Sequence, residues 1–408
     1  LPHSSAILNL RETNVDGPIP SEIGRLEWLQ ELDIGQTNVN GTIPSEIGNI
    51  IRLETLNVAS CDLRGTLPSS LSRLSMLRSL VLNINGISGT IPTSLALLSG
   101  LEDLRVGGND LNGTIPSELG SLSKLAEMDI SRNSLSGILP PELFNATSLV
   151  NLKVDDNNLW GTIPSSIRLL SAIRELDVGS NAFNGTFPVE MTTLSLLEKV
   201  DTKTCRLSGQ LPTEIGLMSR LDNALLQDNL WTGTVPSELG LLTSTSRFHI
   251  SGQITNGPKM FGTIPPEIGN MTDLTVLSLY RNNLTGTLPT EIGRLTKLRL
   301  LRLFEGRLSG SLPTELGLLT DLRELELHLN DFSGSIPTEL GLLTQLDRGL
   351  FYGNNLTGTM PLEVCAVSPS VLIGGCNLTE WDCSCCTSCS RPGGRGGGGG
   401  GGRGGGSG

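Results

Sequence analysis

The chain has 408 residues, a formal net charge of −12 at pH 7 and an aromatic content of only 3%. That acidity argues against a dedicated nucleic-acid or anionic-membrane binder, and the scarcity of rings requires a core of aliphatic side chains. No run of 18 or more apolar residues occurs, so the sequence predicts no membrane-spanning helix.

The opening stretch LPHSSAILNL lacks the basic start and apolar core of a secretory leader and begins inside a repeat, as expected of a mature product or a fragment cut upstream. From Gly17 to Gly358 the string Gly-x-x-Pro recurs fifteen times, each step being 24 residues except the 29 between Gly233 and Gly262. A fixed period of this length predicts a solenoid, in which each unit buries its apolar face only against its neighbours. Counting each rung from its glycine as position 0, aliphatic residues stand at −12, −9 and −7, as Leu101, Leu104 and Val106 do before Gly113. Alternation between the last two predicts a short half-buried strand, stacked on the next at about 4.8 Å. The proline and the following Glu-Leu-Gly predict an extended entry and a short turn of helix. Position −4 is mostly Asn, as at Asn85, Asn109 and Asn157, with Thr37, Cys61 and Cys205 as replacements. An amide can donate to and accept from backbone groups left without ladder partners where the chain turns inward. Cys61 and Cys205 are therefore read as structural fillers of that slot.

With these columns in place, residues 5–361 resemble the plant-type class of extracellular leucine-rich repeats, with its pattern L-x-x-L-x-L-x-x-N-x-L-x-G-x-I-P. The resemblance implies an α/β solenoid with one long parallel concave sheet and short helical or 3-10 segments on the convex side. The repeat, the closing cysteine group and the low-complexity end predict a domain order of a fifteen-repeat solenoid (1–361), a cysteine-rich C-terminal cap (362–390) and a flexible Gly/Arg-rich tail (391–408). The paired-cysteine N-terminal cap usual in the plant proteins is absent, which suggests missing upstream sequence, and no kinase or membrane segment follows. The class includes receptor ectodomains, polygalacturonase-inhibiting proteins and algal and diatom surface proteins. It implies an extracellular or cell-surface protein that binds a protein or peptide on the concave face; the net charge predicts no nucleic-acid partner, and the lack of catalytic or ligand-binding signatures predicts no cofactor and no catalysis.

Strand alternation points positions −10, −8, −6 and −5 onto the concave face. The middle of that face is charged, with Asp129, Lys153, Asp155, Asp177 and Asp201 as a secondary patch. An inhibitor of wall-degrading glycosidases would use this centre, so that reading is the alternative function. Asp177 and Asp201 are neighbours in one column, but an open sheet beside lysines suits a solvated or docking surface better than a glycosidase pair. The five extra residues fall between Ser251 and Gly262, where Lys259, Met260 and Phe261 are expected to project. Beyond them, both tyrosines of the chain fall at −6, as Tyr280 and Tyr352, 72 positions apart, with Phe304 and His328 on the rungs between. Parallel stacking makes these four rings one exposed strip, flanked by Arg281, Arg302, Glu326 and Arg348. Aromatics with arginine and carboxylate neighbours have the composition of a binding hot spot; an aromatic ladder that stabilises the strands is the compatible alternative.

Six of the eight cysteines close the repeats: Cys365, Cys376, Cys383, Cys385, Cys386 and Cys389. Disulfides of an oxidising compartment are the favoured reading and a metal cluster the rival, and six cysteines leave fifteen pairings open. Sequons occur at Asn40, Asn112, Asn145, Asn184, Asn270, Asn283, Asn355 and Asn377, although Asn-Gly-Thr also falls out of the repeat itself. Threonines after the glycines, such as Thr42, Thr66, Thr90 and Thr114, make an interrupted hydroxyl column, the basis of a third reading as an adhesion or ice-binding protein. His3, His249 and His328 are scattered, with no nucleophile, phosphate loop or metal-ligand spacing around them.

Overall fold

In a computed structural model that describes residues 6–252, 257–367, 369–375, 381–383 and 385–390, each repeat forms one rung of a solenoid. Strands from Ala6–Asn9 through Glu175–Asp177 to Arg348–Leu350 run parallel along the concave face. With Val371–Gly375 and Ser388–Ser390 they make a sheet of seventeen. Register is strict: Leu277 pairs with Leu301 and Leu301 with Leu325, so equal positions of adjacent repeats lie side by side. Central residues of these strands, such as Leu56, Leu152 and Leu325, are fully buried. At Gly349 that column loses its side chain, and Phe351 and Leu372 come within 3.1 and 3.0 Å of where a Cβ would stand.

On the convex side, fourteen five-residue 3-10 helices, from Ser21–Arg25 to Thr338–Leu342, replace the expected turns of helix. A proline precedes each; Pro20, at φ −70° and ψ 144°, sets the extended entry. Glycine within the turn lets neighbouring rungs close up: a Cβ at Gly120 would collide with the carbonyl oxygen of Glu142.

Between strand and convex turn lies a second, flanking set of parallel strands that the periodicity does not announce. Eight of them run from Asp16–Pro18 to Ala182–Asn184, followed by groups of two, five and two. These strands carry Thr, Ser, Asn and Gly rather than an apolar alternation, so they offer no strand signal in the sequence.

The asparagine column joins the two sheets. Asn157 accepts from the Leu135 N–H at 3.0 Å and donates to the carbonyls of Ile130 and Val154 at 3.1 and 3.2 Å. Each amide thus binds its own rung to the one before. Cys61 donates to the Ile34 carbonyl at 3.3 Å and Cys205 to that of Val178 at 3.5 Å, in the same slot. Burial pushes the Cys205 thiol up to about 11, which keeps it protonated.

After the concave strand of every rung but that of the insertion, the residue at −5 enters the left-handed region, for example Ile84 at φ 60° and Arg281 at φ 57°. A side chain there costs about 1–2 kcal/mol unless it is Gly or Asn. Ile84 is 60% exposed and gains little burial in return.

Two stability outcomes follow. Asn157→Ala strands the buried Leu135 N–H and two carbonyls, and should lower stability in urea by about 2–3 kcal/mol. Ile84→Asn should raise it by about 1 kcal/mol by relieving the left-handed strain; an unchanged midpoint would show that the strain is already relaxed.

Candidate functional site

The four rings at −6 are brought onto consecutive strands and stack face to face. Ring centroids are 4.4 Å apart for Tyr280 and Phe304, 4.5 Å for Phe304 and His328, and 4.6 Å for His328 and Tyr352. Interplanar angles of 9°, 10° and 23° make this a parallel pile set by strand spacing. The expected exposed strip is therefore corrected in one respect: His328 is buried and the other three rings are half-buried, because each covers its neighbour's face. Burial and the nearby Arg348 and Arg281, opposed by Glu305, hold the His328 imidazole down at about 4. A neutral ring at pH 7 is what stacks well between Phe304 and Tyr352.

The charged residues around the pile are tied to one another. Arg302 reaches Glu324 at 2.9 Å and Glu326 at 3.6 Å, and Arg348 reaches Glu326 at 2.9 Å. Arg281 pairs with Glu305 at 3.1 Å and lies over the Tyr280 and Phe304 rings at 5.7 and 5.8 Å. These pairs leave the immediate surroundings of the rings close to neutral.

The two ends of the pile differ. Towards the N-terminus the column falls to Ser251, which is 1% exposed and whose Oγ has no partner among the described residues. Towards the C-terminus, the register that pairs Leu350 with Ile373 sets Gly375 across from Tyr352. A glycine brings no side chain against the ring from that position. The repeat count could not reveal this, because the 24-residue period ends before Gly375.

At the charged centre the carboxylates have local duties. Asp129 accepts from the Ser131 N–H at 3.0 Å, Asp177 from that of Gly179 at 3.2 Å and Asp201 from that of Lys203 at 3.0 Å. Each closes the turn that ends its strand. Lys203 also pairs with Asp201 at 2.6 Å, while Lys199 and Lys153 reach Glu175 at 2.5 and 3.3 Å. Burial, then the charges of Asp201 and Asp155, raise Asp177 to about 6, against the opposing Lys199. Asp155 is raised mainly by burial. Among the described residues, no group of three or more His, Cys, Asp or Glu is arranged to hold a metal.

The insertion departs from expectation. Met260 does not project: it is fully buried and its N–H faces the Asn282 Oδ1 at 3.3 Å, filling the slot that Leu occupies in other rungs. Lys259 is half-buried, and Phe261 is 51% exposed. Disulfides join Cys365 to Cys385 and Cys383 to Cys386; Cys376 lies outside the described residues, and Cys389 is placed on the strand Ser388–Ser390. Of the sequons, Asn112, Asn145, Asn184, Asn270 and Asn355 are exposed, Asn40 and Asn283 are half-buried, and Asn377 lies outside the described residues, as does His3.

The family model described as Leucine Rich Repeat matches residues 52–74, 100–122, 124–146 and 273–295. No curated protein matches the chain. Among solved structures, the plant peptide hormone receptor RGFR1 in complex with RGF2 is 28% identical, with a TM-score of 0.79 over 93% of this chain and 67% of that one. The ectodomain of the Arabidopsis receptor kinase HAESA, in complex with an extended IDA peptide hormone, is 29% identical, with a TM-score of 0.76 over 89% of this chain and 64% of that one. A Leptospira interrogans leucine-rich repeat protein is 29% identical, with a TM-score of 0.73 over 91% and 90% of the two chains. The chain thus spans about two thirds of the length of the two plant receptor structures.

The raised Asp177 has a consequence that titration can read. A carboxyl whose folded pKa lies above its unfolded value loses stability as pH rises from about 4 through 6. Asp177→Asn keeps an acceptor for the Gly179 N–H and should gain on the order of 1–2 kcal/mol at pH 7. Below pH 4 it should gain nothing. Equal effects at both pH values would show that the carboxylate is not strained.

Proposed function

We propose that this chain, a leucine-rich repeat solenoid of the plant extracellular type, is a ligand-recognition module at the cell surface or outside the cell, with its site at the aromatic pile. The pile itself carries the reading. Two Tyr, one Phe and one His occupy consecutive rungs of one concave column in a chain that is 3% aromatic. Rigid half-buried rings offer contact area at low entropic cost. The half-buried rings of Tyr280, Phe304 and Tyr352 are the places where a partner gains most. The neutralised surroundings suit a peptide or protein with apolar and aromatic side chains, and the likeness to receptor structures bound to peptide hormones supports that class of partner.

A catalytic role has little to stand on. His249 and His328 are both held near 4, and Cys205 is held near 11, so none of the three is poised for proton transfer or thiolate chemistry at neutral pH. The charged centre is a weaker ligand site than the pile, because its carboxylates are already engaged in closing strand ends and pairing lysines.

The test is capture from extracellular extract by the intact chain and by a folded Tyr280→Ala/Tyr352→Ala variant. A partner bound by the first should lose about 30-fold in affinity for the second, the scale of a hot-spot ring. Equal capture by both would make the pile a stabilising ladder only.

A further inference from the structure

In the eight-stranded flanking group the described strands carry an exposed apolar patch. Ile138 and Trp160 are 49% and 55% exposed on a surface otherwise built from residues such as Thr114, Ser136 and Thr162. Register brings them together: Gly137 pairs with Leu159, which sets Ile138 across from Trp160, and Trp160 in turn pairs with Ala182. The small Ala182 leaves the ring uncovered on that side. In the same strand Phe183 is fully buried and Asn184 is exposed, so Ala182 and Asn184 share the outward face with Trp160 and Thr162. Asn184 pairs with Thr162 and is therefore the diagonal neighbour of Trp160, roughly 8 Å away by strand spacing and a two-residue rise.

Asn184 begins the sequon Asn184-Gly185-Thr186. We infer that Asn184 carries an N-linked glycan whose first sugars lie on Trp160 and Ile138. In the transfer, the carboxamide nitrogen bonds to C1 of a lipid-diphosphate-linked oligosaccharide. The C1–O bond to phosphate breaks, the amide nitrogen loses a proton, and the lipid diphosphate leaves. The acceptor is modified while the chain is extended, and the folded state accommodates the product because Asn184 faces solvent at the last strand of the eight-stranded group. The apolar face of an N-acetylglucosamine suits an exposed indole, and the diagonal spacing is within reach of the Asn side chain and its first sugar.

Asn112 serves as the internal comparison. It is equally exposed on the same sheet, but its register partners are Thr90 and Ser134, so a glycan there has no ring to lie on. The same difference separates this proposal from a bare sequon count, which treats the two sites alike.

The experiment is secretion of the whole chain from a eukaryotic host, glycopeptide mass spectrometry, and hydroxyl-radical footprinting of the wild type and Asn184→Gln. The expected result is an occupied Asn184, with oxidation of Trp160 rising severalfold in Asn184→Gln while that of Trp28, 65% exposed in another rung, stays constant. Asn112→Gln should leave Trp160 unchanged. An unoccupied Asn184, or an occupied one with Trp160 equally oxidised in both proteins, overturns the inference. None of these readouts depends on the concave ligand site.

Discussion

The hydrogen bonds of the asparagine column are what the rest of the molecule depends on. Each amide spans two rungs, so it fixes both the spacing and the phase of one repeat relative to the last. Leucines supply the burial and decide which residues face inward, while the amides tie each rung to its neighbour by directional bonds. With the phase fixed, residues 24 apart become neighbours, and a column of equal positions becomes a continuous surface feature. Stacking of Tyr280, Phe304, His328 and Tyr352 is such a feature.

The same register has opposite effects at the two charged regions. At the C-terminal end, Arg302, Glu324, Glu326 and Arg348 alternate in sign across adjacent strands and cancel. In the centre, Asp177 and Asp201 fall on adjacent strands with the same sign, and Asp177 is pushed upward by burial and by that neighbour. Lysines at −10 and −6, Lys199 and Lys203, keep this strain local. The strained carboxylates remain because their oxygens also close strand ends, a duty that a purely apolar residue could not perform.

Much of this was legible in the sequence, and the reason is the repeat. A strict period converts position in the chain into position on a surface, so the solenoid, the outward columns and the four-ring column could all be read from spacing. What could not be read depends on side-chain closure rather than phase. Mutual covering of the rings buries His328. The arginines spend themselves on nearby carboxylates instead of standing free. Met260 takes the Leu slot because the insertion is absorbed before it, where spacing alone placed it in the loop. The flanking strands escaped notice because Thr, Ser, Asn and Gly leave no apolar alternation. Pairing among the six C-terminal cysteines is set by a fold outside the period, so counting could not choose it.

The insertion rung shows how the molecule tolerates growth. Asn282 reaches back 32 residues to the Ile250 carbonyl at 2.8 Å, where its counterparts reach back 27, and the bond is otherwise the same. The columns on either side stay aligned, with His249 beside Ser278 as in an uninterrupted pair of rungs. The scaffold therefore counts bonding slots, not residues. For engineering, what a lengthened rung has to preserve is the asparagine bond and the strand register on its two sides, not the number of residues between them.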